Sequence, residues 1–517
     1  MSTSSSNGMA SGATGADRSE TASAHVASWP LDRSGIPLRS WLARQGALLL
    51  GGYAAAQGLS FARNAILGHV LSKGDFGIAA TLTMMLQLTE VLTDVGADRL
   101  IVQDRDGAEP RLAATMQSVL VLRGLVSSLV LLACAPLFAG FFSIPQAAPA
   151  FALAALAPLV RGFLHLDLRL AQRQLDNRPQ MSVEVLPQLA ALLALWPLLV
   201  WRPDYTVVAW LALLQAALMV AVSHALAVRP YRLALEPELL RRVVVFGWPI
   251  WAAAFPVIAV YQGDRIIVGR LLGMEALAGY SVAFMVTMVP GLLAYKVGNA
   301  LMLPLLAGTD RTAPVYGKRY AALVEGTALA ASLYIAGFVV AGGLVLPVVF
   351  GGNYTGLGPV VSCLAMMWAV RMMQAVPNMA LMASGETRPL LGGSIIRAVA
   401  RLPAVCLLWF GFGLPEFAAA GVAGELASLL YVANAASRVA PRLASMLLAR
   451  ALLVVPAATM AMAMNSALPA TPSLTAALFA AMLVGVCVAV LAVLALPSLR
   501  AFVCDLVGPR LRVCLRT

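Results

Sequence analysis

From about Arg44 onward the chain is a ladder of apolar stretches joined by short polar gaps. Each stretch runs roughly 20–25 residues, enough to cross a hydrocarbon core of about 30 Å as a helix, and there are roughly 14 of them. Positive charge crowds every second gap: Arg105 and Arg111, then Arg169 to Arg178, Arg229 to Arg242, Arg311 to Arg319, Arg388, and Arg438 to Arg450. The intervening gaps hold only Lys73, Arg202 and Arg270. Basic gaps face the cytoplasm, so this alternation sets an orientation. The Arg-bearing N- and C-terminal segments fall on the same side as the basic gaps, as an even number of spans requires. The expectation is an all-α polytopic membrane protein with both termini cytoplasmic.

Composition agrees where it bears on class. The hydrophobic fraction is 60%, the charged fraction 12% and the mean hydropathy +0.84, far from a soluble chain. A net charge of +12 invites a nucleic-acid reading. Its placement in short gaps is explained instead by topology and by anionic lipid, so membrane lipid is an expected partner and nucleic acid is not. The six cysteines show no paired metal spacing, and no metal or cofactor is expected. Some forty polar residues precede the first apolar run, so the first span is expected to act as its own insertion signal.

Residues 1–40, rich in Ser, Ala, Gly and Thr, read as a disordered cytoplasmic tail. The spans are expected near 45–69, 77–102, 112–135, 147–168, 181–201, 206–228, 243–269, 279–306, 320–346, 358–383, 390–412, 417–437, 445–466 and 474–496. A basic amphipathic tail follows from Phe502. No gap is long enough to hold an extramembrane catalytic domain. An internal repeat is visible in Arg63-Asn-Ala-Ile-Leu-Gly68-His69-Val-Leu71 and Asp264-Arg-Ile-Ile-Val-Gly269-Arg270-Leu-Leu272, offset by 201 residues. Gly77 meets the neighbourhood of Gly279 after one further residue. An offset of six spans makes the two copies parallel, about an axis along the membrane normal. The resulting division is an N-lobe of spans one to six (41–228), a C-lobe of spans seven to twelve (229–437), and spans thirteen and fourteen with the basic tail (438–517).

The same phrases carry a family resemblance. Leu71-Ser-Lys-Gly-Asp-Phe-Gly77, then Leu92-Thr-Asp94-Val-Gly96 and Leu100-Ile-Val-Gln103, resemble the opening of bacterial polysaccharide flippases. Asp264-Arg-Ile-Ile-Val-Gly-Arg-Leu-Leu-Gly273 resembles their seventh span. These flippases belong to the multidrug/oligosaccharidyl-lipid/polysaccharide exporter superfamily. The resemblance implies two six-helix lobes around a cavity lined by spans one, two, seven and eight. It implies an undecaprenyl-diphosphate-linked oligosaccharide as substrate, moved from the inner to the outer leaflet of a bacterial inner membrane for exopolysaccharide or O-antigen (lipopolysaccharide) synthesis. A polysaccharide polymerase and export machinery are the implied protein partners. The alternatives are a cation-coupled small-molecule exporter of the same superfamily and a membrane-embedded polysaccharide polymerase. Short, nearly uncharged outer gaps argue against the polymerase.

Charge inside a bilayer is expensive, roughly 2.5–3.5 kcal/mol per residue at the centre, so deep ionisable residues are site candidates. On span two Glu90, Asp94 and Asp98 recur every fourth residue, which on one unbroken helix forms an acidic stripe. Glu90 and Asp94 are the candidates for ion coupling; structural pairing with a membrane arginine is the competing role. Deep cations are Arg63, Arg123, Lys296, Arg371, Arg397 and Arg401. Arginine binds phosphate oxygens with a two-pronged fork. With the cavity lining that the resemblance implies, the candidate substrate-binding residues are Arg63, Arg265, Lys296 and Asn299. The competing reading pairs Asp264 locally, with Arg265 and Arg63 reaching toward it. Pro249, Pro256, Pro290, Pro304 and Pro377 are expected to kink their spans. The tripeptide Asp104-Arg-Asp106 matches a sugar-nucleotide motif but lacks a surrounding nucleotide-binding fold, and is set aside.

Overall fold

A computed structural model of the chain describes residues 38–104, 106, 109–174, 176–307, 314–439, 447–450, 452–468 and 473–500. The expected terminal tails lie outside these, apart from the last three residues of the N-terminal one, which are helical. Within the described residues the regular structure is helical throughout. Span one is α1 (Leu38–Val70); span two is α2 (Lys73–Leu92) followed by α3 (Ala97–Gln103). Span three is α4 (Pro110–Phe141). Span four combines a 3-10 turn at Pro145–Ala147 with α5 (Ala148–Ala154), α6 (Leu156–Gly162) and α7 (Asp167–Arg173). Spans five and six are α8 (Arg178–Trp201) and α9 (Thr206–Leu226). In the second half, α10 (Pro237–Tyr261) with α11 (Gly263–Leu271) makes span seven, α12 (Met274–Ala307) span eight and α13 (Pro314–Phe350) span nine. Then come α14 (Gly358–Ala383), α15 (Arg388–Val399) with α16 (Arg401–Trp409), and α17 (Leu414–Val439). The C-terminal pair is α18 (Val454–Ala467) and α19 (Leu474–Ala495).

Every expected span thus has its helix. Eleven of the described helical segments are long and apolar enough to cross a membrane, and two bent pairs raise this to 13. The remaining one, α1, is 33 residues long but interrupts its apolar run with Gln57, Ser60, Arg63 and Asn64. Local chemistry explains the helix starts. Ser72 caps α2 by accepting from the Asp75 amide at 3.1 Å, and Ser473 caps α19 by accepting from Ala476 at 3.2 Å. Pro110 sits in the first turn of α4, where a missing N–H loses no helical bond.

The breaks between helical segments fall at other places than the prolines. Helices α10 and α14 run unbroken through Pro249, Pro256 and Pro377, and α12 runs through positions 290 and 304. Span two instead bends by 47° between α2 and α3, and span four by 56° before α7. At the first bend Gly96 adopts φ +66°, a left-handed conformation that suits glycine. The acidic stripe is therefore not one helical face: Glu90 ends α2, Asp94 lies in the bend and Asp98 begins α3.

Spans one to six as a group pack mainly among themselves, as do spans seven to twelve, apart from span two, which packs most heavily on span eight; α18 and α19 lean on α13. Small residues allow the close contacts typical of membrane helices. A Cβ on Gly124 would fall 2.6 Å from the Pro158 carbonyl, so α4 and α6 touch backbone to backbone. Glu325, buried on α13, accepts from Arg450 at 3.4 Å and from the Leu499 amide at 3.0 Å, fastening the C-terminal pair. The halves meet where α2 packs on α10 and α12, and α1 on α13.

At the charge-poor end the halves make reciprocal contacts. Gly68, ending α1, abuts Phe350 at the end of α13, while its repeat mate Gly269 abuts Phe142 just after α4. After each phenylalanine comes a residue at positive φ, Gly351 (+100°) and Ser143 (+59°), and then a 3-10 turn. His69 packs on Gly351; its mate Arg270 donates to Ser143 Oγ at 3.0 Å and covers the Phe141 ring. This exchange is what a parallel repeat produces when its two copies face each other.

Candidate functional site

Arg63 is fixed by span geometry: α1 packs along α8, and α8 along α9. Its Nη1 donates to Gln188 Oε1 at 3.4 Å and to Gln215 Oε1 at 3.1 Å, both neutral acceptors. Arg265, on the short α11, lies over the Phe284 ring with its Cζ 4.8 Å from the centroid, and its Nε is buried without a hydrogen bond. Neither guanidinium enters an ion pair among the described residues. No described contact joins the two. Lys296 and Asn299 fall on α12, but their side chains lie outside the described residues.

Glu90 and Asp94 are brought together by arginines. Arg161 of α6 grips Glu90 with both prongs, Nη1 to Oε2 and Nη2 to Oε1, each at 3.0 Å. Arg123 of α4 donates to the Glu90 carbonyl at 2.9 Å and to Thr93 Oγ1 at 3.2 Å, and lies 3.9 Å from Asp94. Asp94 accepts from the Gly96 amide at 2.9 Å and from Arg99 at 3.4 Å, so it shapes the bend. Asp98 pairs with Arg169 at 2.9 Å. The Arg161 fork on Glu90 ties span two to span four.

In the second half two buried carboxylates hold the deep arginines. Asp264 does not pair with its neighbour Arg265. Arg401 of α16 grips it with Nε and Nη2, and Tyr280 donates its hydroxyl at 3.1 Å. Successive residues on a helix point apart, so the cation that reaches Asp264 comes from another span. Glu425 on α17 takes Arg371 at 2.6 Å and Arg397 at 3.7 Å. Arg371 also lies between the rings of Trp368 and Tyr261, 4.9 and 5.3 Å from their centroids. Arg397 and Arg401 sit on either side of a helix break at Ala400 and serve different carboxylates. At the cytoplasm-predicted end, Arg242 bridges Asp104 at 2.7 Å and Asp106 at 3.1 Å, which gives the Asp-x-Asp tripeptide a structural partner.

Deep cations as a group therefore do not all await a ligand. Arg123, Arg371, Arg397 and Arg401 have carboxylates, and Arg63 and Arg265 stand apart. Sequence reasoning missed Arg161, Gln188, Gln215 and Glu425, although the cost of charge at depth marks Arg161 and Glu425 just as it marks Arg371.

The profile of the family described as "Polysaccharide biosynthesis protein" matches residues 66–359, more than half of the chain. The chain belongs to this family. The match contains Glu90, Asp94, Arg265, Lys296 and Asn299, and begins just after Arg63. No curated protein sequence matches the chain. Among solved structures, it is similar to the lipid II flippase MurJ in an inward closed conformation, with a TM-score of 0.69 at 10% identity, covering 86% of this chain and 97% of that one. It is also similar to an inward-facing multidrug resistance MATE transporter of the MOP superfamily (TM-score 0.56, 13% identity, 79% and 96% coverage). A MOP superfamily transporter from Pyrococcus furiosus gives 0.54 at 14% identity, covering 80% and 95%. At these identities the likeness is one of fold: this family member has the polytopic helical architecture shared by flippases and exporters of that superfamily.

Proposed function

We propose that the chain is a flippase that carries undecaprenyl-diphosphate-linked oligosaccharide from the inner to the outer leaflet of a bacterial inner membrane by alternating access. On this reading it is not an enzyme, both termini are cytoplasmic, and its product feeds a polymerase and export machinery for exopolysaccharide or O-antigen. The observation that carries the reading is the contrast among deep arginines. Arg63 and Arg265 make no ion pair within 4 Å among the described residues, while five others (Arg123, Arg161, Arg371, Arg397 and Arg401) do. An unneutralised guanidinium in a low-dielectric surround attracts an anionic head group and repels a cationic drug. Lys296 and Asn299 on α12 would add a point charge and a hydrogen-bonding amide for sugar hydroxyls. Glu90 and Asp94 would couple the cycle to an ion gradient through the contact with spans three and four.

The test is complementation of a deletion strain, scoring exported polysaccharide and the leaflet in which lipid-linked precursor resides. Arg63→Ala and Arg265→Ala should leave precursor in the inner leaflet at normal protein abundance. Lys should rescue either arginine only partly, whereas Arg should replace Lys296 well. In the same assay Glu90→Gln should lose dependence on the pH gradient with protein retained. Full export by both arginine variants at normal abundance would overturn the reading.

A further inference from the structure

The surroundings of Arg63 go further than an unpaired charge. Gln215 stands at the middle of the 21-residue α9, and Gln188 near the middle of the 24-residue α8. A carboxamide at that depth needs partners, since lipid offers none. Both amide oxygens turn to the same atom, Arg63 Nη1. The assignment of oxygen rather than nitrogen follows from chemistry, because arginine only donates. Arg63 Nε and Nη2, and the Nε2 groups of both glutamines, have no hydrogen-bond partner among the described residues. All three side chains are partly exposed. What the three leave available is therefore a set of donors on spans one, five and six, around a charge that is held but not cancelled.

We propose that Gln188 and Gln215 are positioning residues: they anchor Arg63 by Nη1 and present its Nε–Nη2 edge to an anionic oxygen pair of the transported molecule. This rests on the flippase reading and names the groups that make Arg63 competent in it. A phosphate or a carboxylate fits that edge in a two-pronged manner, and the amide Nε2 donors can take further oxygens. A glutamate at either position would hold Arg63 equally well or better. It would also neutralise the guanidinium, and that separates a positioning role from a structural one.

Gln188→Glu and Gln215→Glu supply the decisive variants, one on each neighbouring span. Purified and reconstituted, they should melt at or above the wild-type temperature, yet translocate lipid-linked precursor at least about tenfold more slowly, as loss of one charge-assisted contact implies. Gln215→Met, which keeps the charge but drops an anchor, should raise the half-saturating precursor concentration with less effect on the maximal rate. Inorganic pyrophosphate should raise the wild-type melting temperature and leave Gln215→Glu unmoved if free diphosphate suffices. If only lipid-linked diphosphate protects the wild type, the site reads the head group together with its lipid, and the inference holds. Wild-type translocation by either folded glutamate variant would overturn it; Arg63→Ala would still decide the flippase reading separately. Should a glutamate variant fail to fold, a carboxylate beside Arg63 is not structurally favourable and the proposal falls.

Discussion

Asp264 and Arg401 are 137 residues apart in the chain and share two contacts inside it, both side chains being at most 9% exposed. Removing one member leaves a buried charge alone, which costs roughly 3–5 kcal/mol, whereas removing both can be nearly neutral. Arg401→Leu should therefore lower stability by about that much, and Asp264→Leu in the same chain should restore most of it. Chemical denaturation in detergent checks the cycle. Asp264→Leu with Arg265→Leu should restore nothing, because Arg265 is not the partner. The cost of charge in lipid made the deep arginines legible before any coordinates. Their partners were not legible: Glu425 reaches Arg371 only because α14 and α17 pack side by side, and Gln188 meets Gln215 only across Arg63. Adjacency in sequence suggested Asp264 with Arg265, and helix geometry overrode it.

The bend between α2 and α3 shows why span positions could be read and their shapes could not. Apolar length alone locates a helix, and every expected span has one, with limits that differ from the expected ones by up to seven residues where helices run on past the apolar core. The prolines of α10 and α14 lie inside continuous helices. The actual break is set by Gly96 at positive φ and by α10 pressing into it. A Cβ on Gly247 would meet the Val95 carbonyl at 2.3 Å and one on Gly96 would meet Ile250 at 2.4 Å. Because backbone cannot step aside as a side chain can, Gly247→Ala should destabilise by about 1–3 kcal/mol. Gly326→Ala on α13, with nothing within 4 Å of its Cβ, should not. Thermal unfolding of the two variants side by side is the check.

The molecule as a whole is closed at its charge-poor end by contacts that come in repeat-related pairs: Gly68 with Phe350 and Gly269 with Phe142, His69 with Gly351 and Arg270 with Ser143. If the two halves rock, this end must part. A short bifunctional thiol cross-linker joining Ser143→Cys to Arg270→Cys, with the native cysteines replaced by serine, should stop export, and either single variant should tolerate the reagent. The repeat was legible as a short matched phrase. Its reciprocal packing was not, because Phe142 and Phe350 lie far from the glycines they meet. The substrate is the central question for the whole chain, and reconstitution answers it most directly. In proteoliposomes holding labelled polyprenyl-diphosphate oligosaccharide, a membrane-impermeant sugar-modifying enzyme reports how much precursor has crossed. Wild-type protein should carry precursor across far faster than protein-free vesicles do, with Arg63→Ala and Arg265→Ala close to the protein-free rate. Translocation no faster than in protein-free vesicles, by protein that is folded and correctly inserted, would contradict the flippase account.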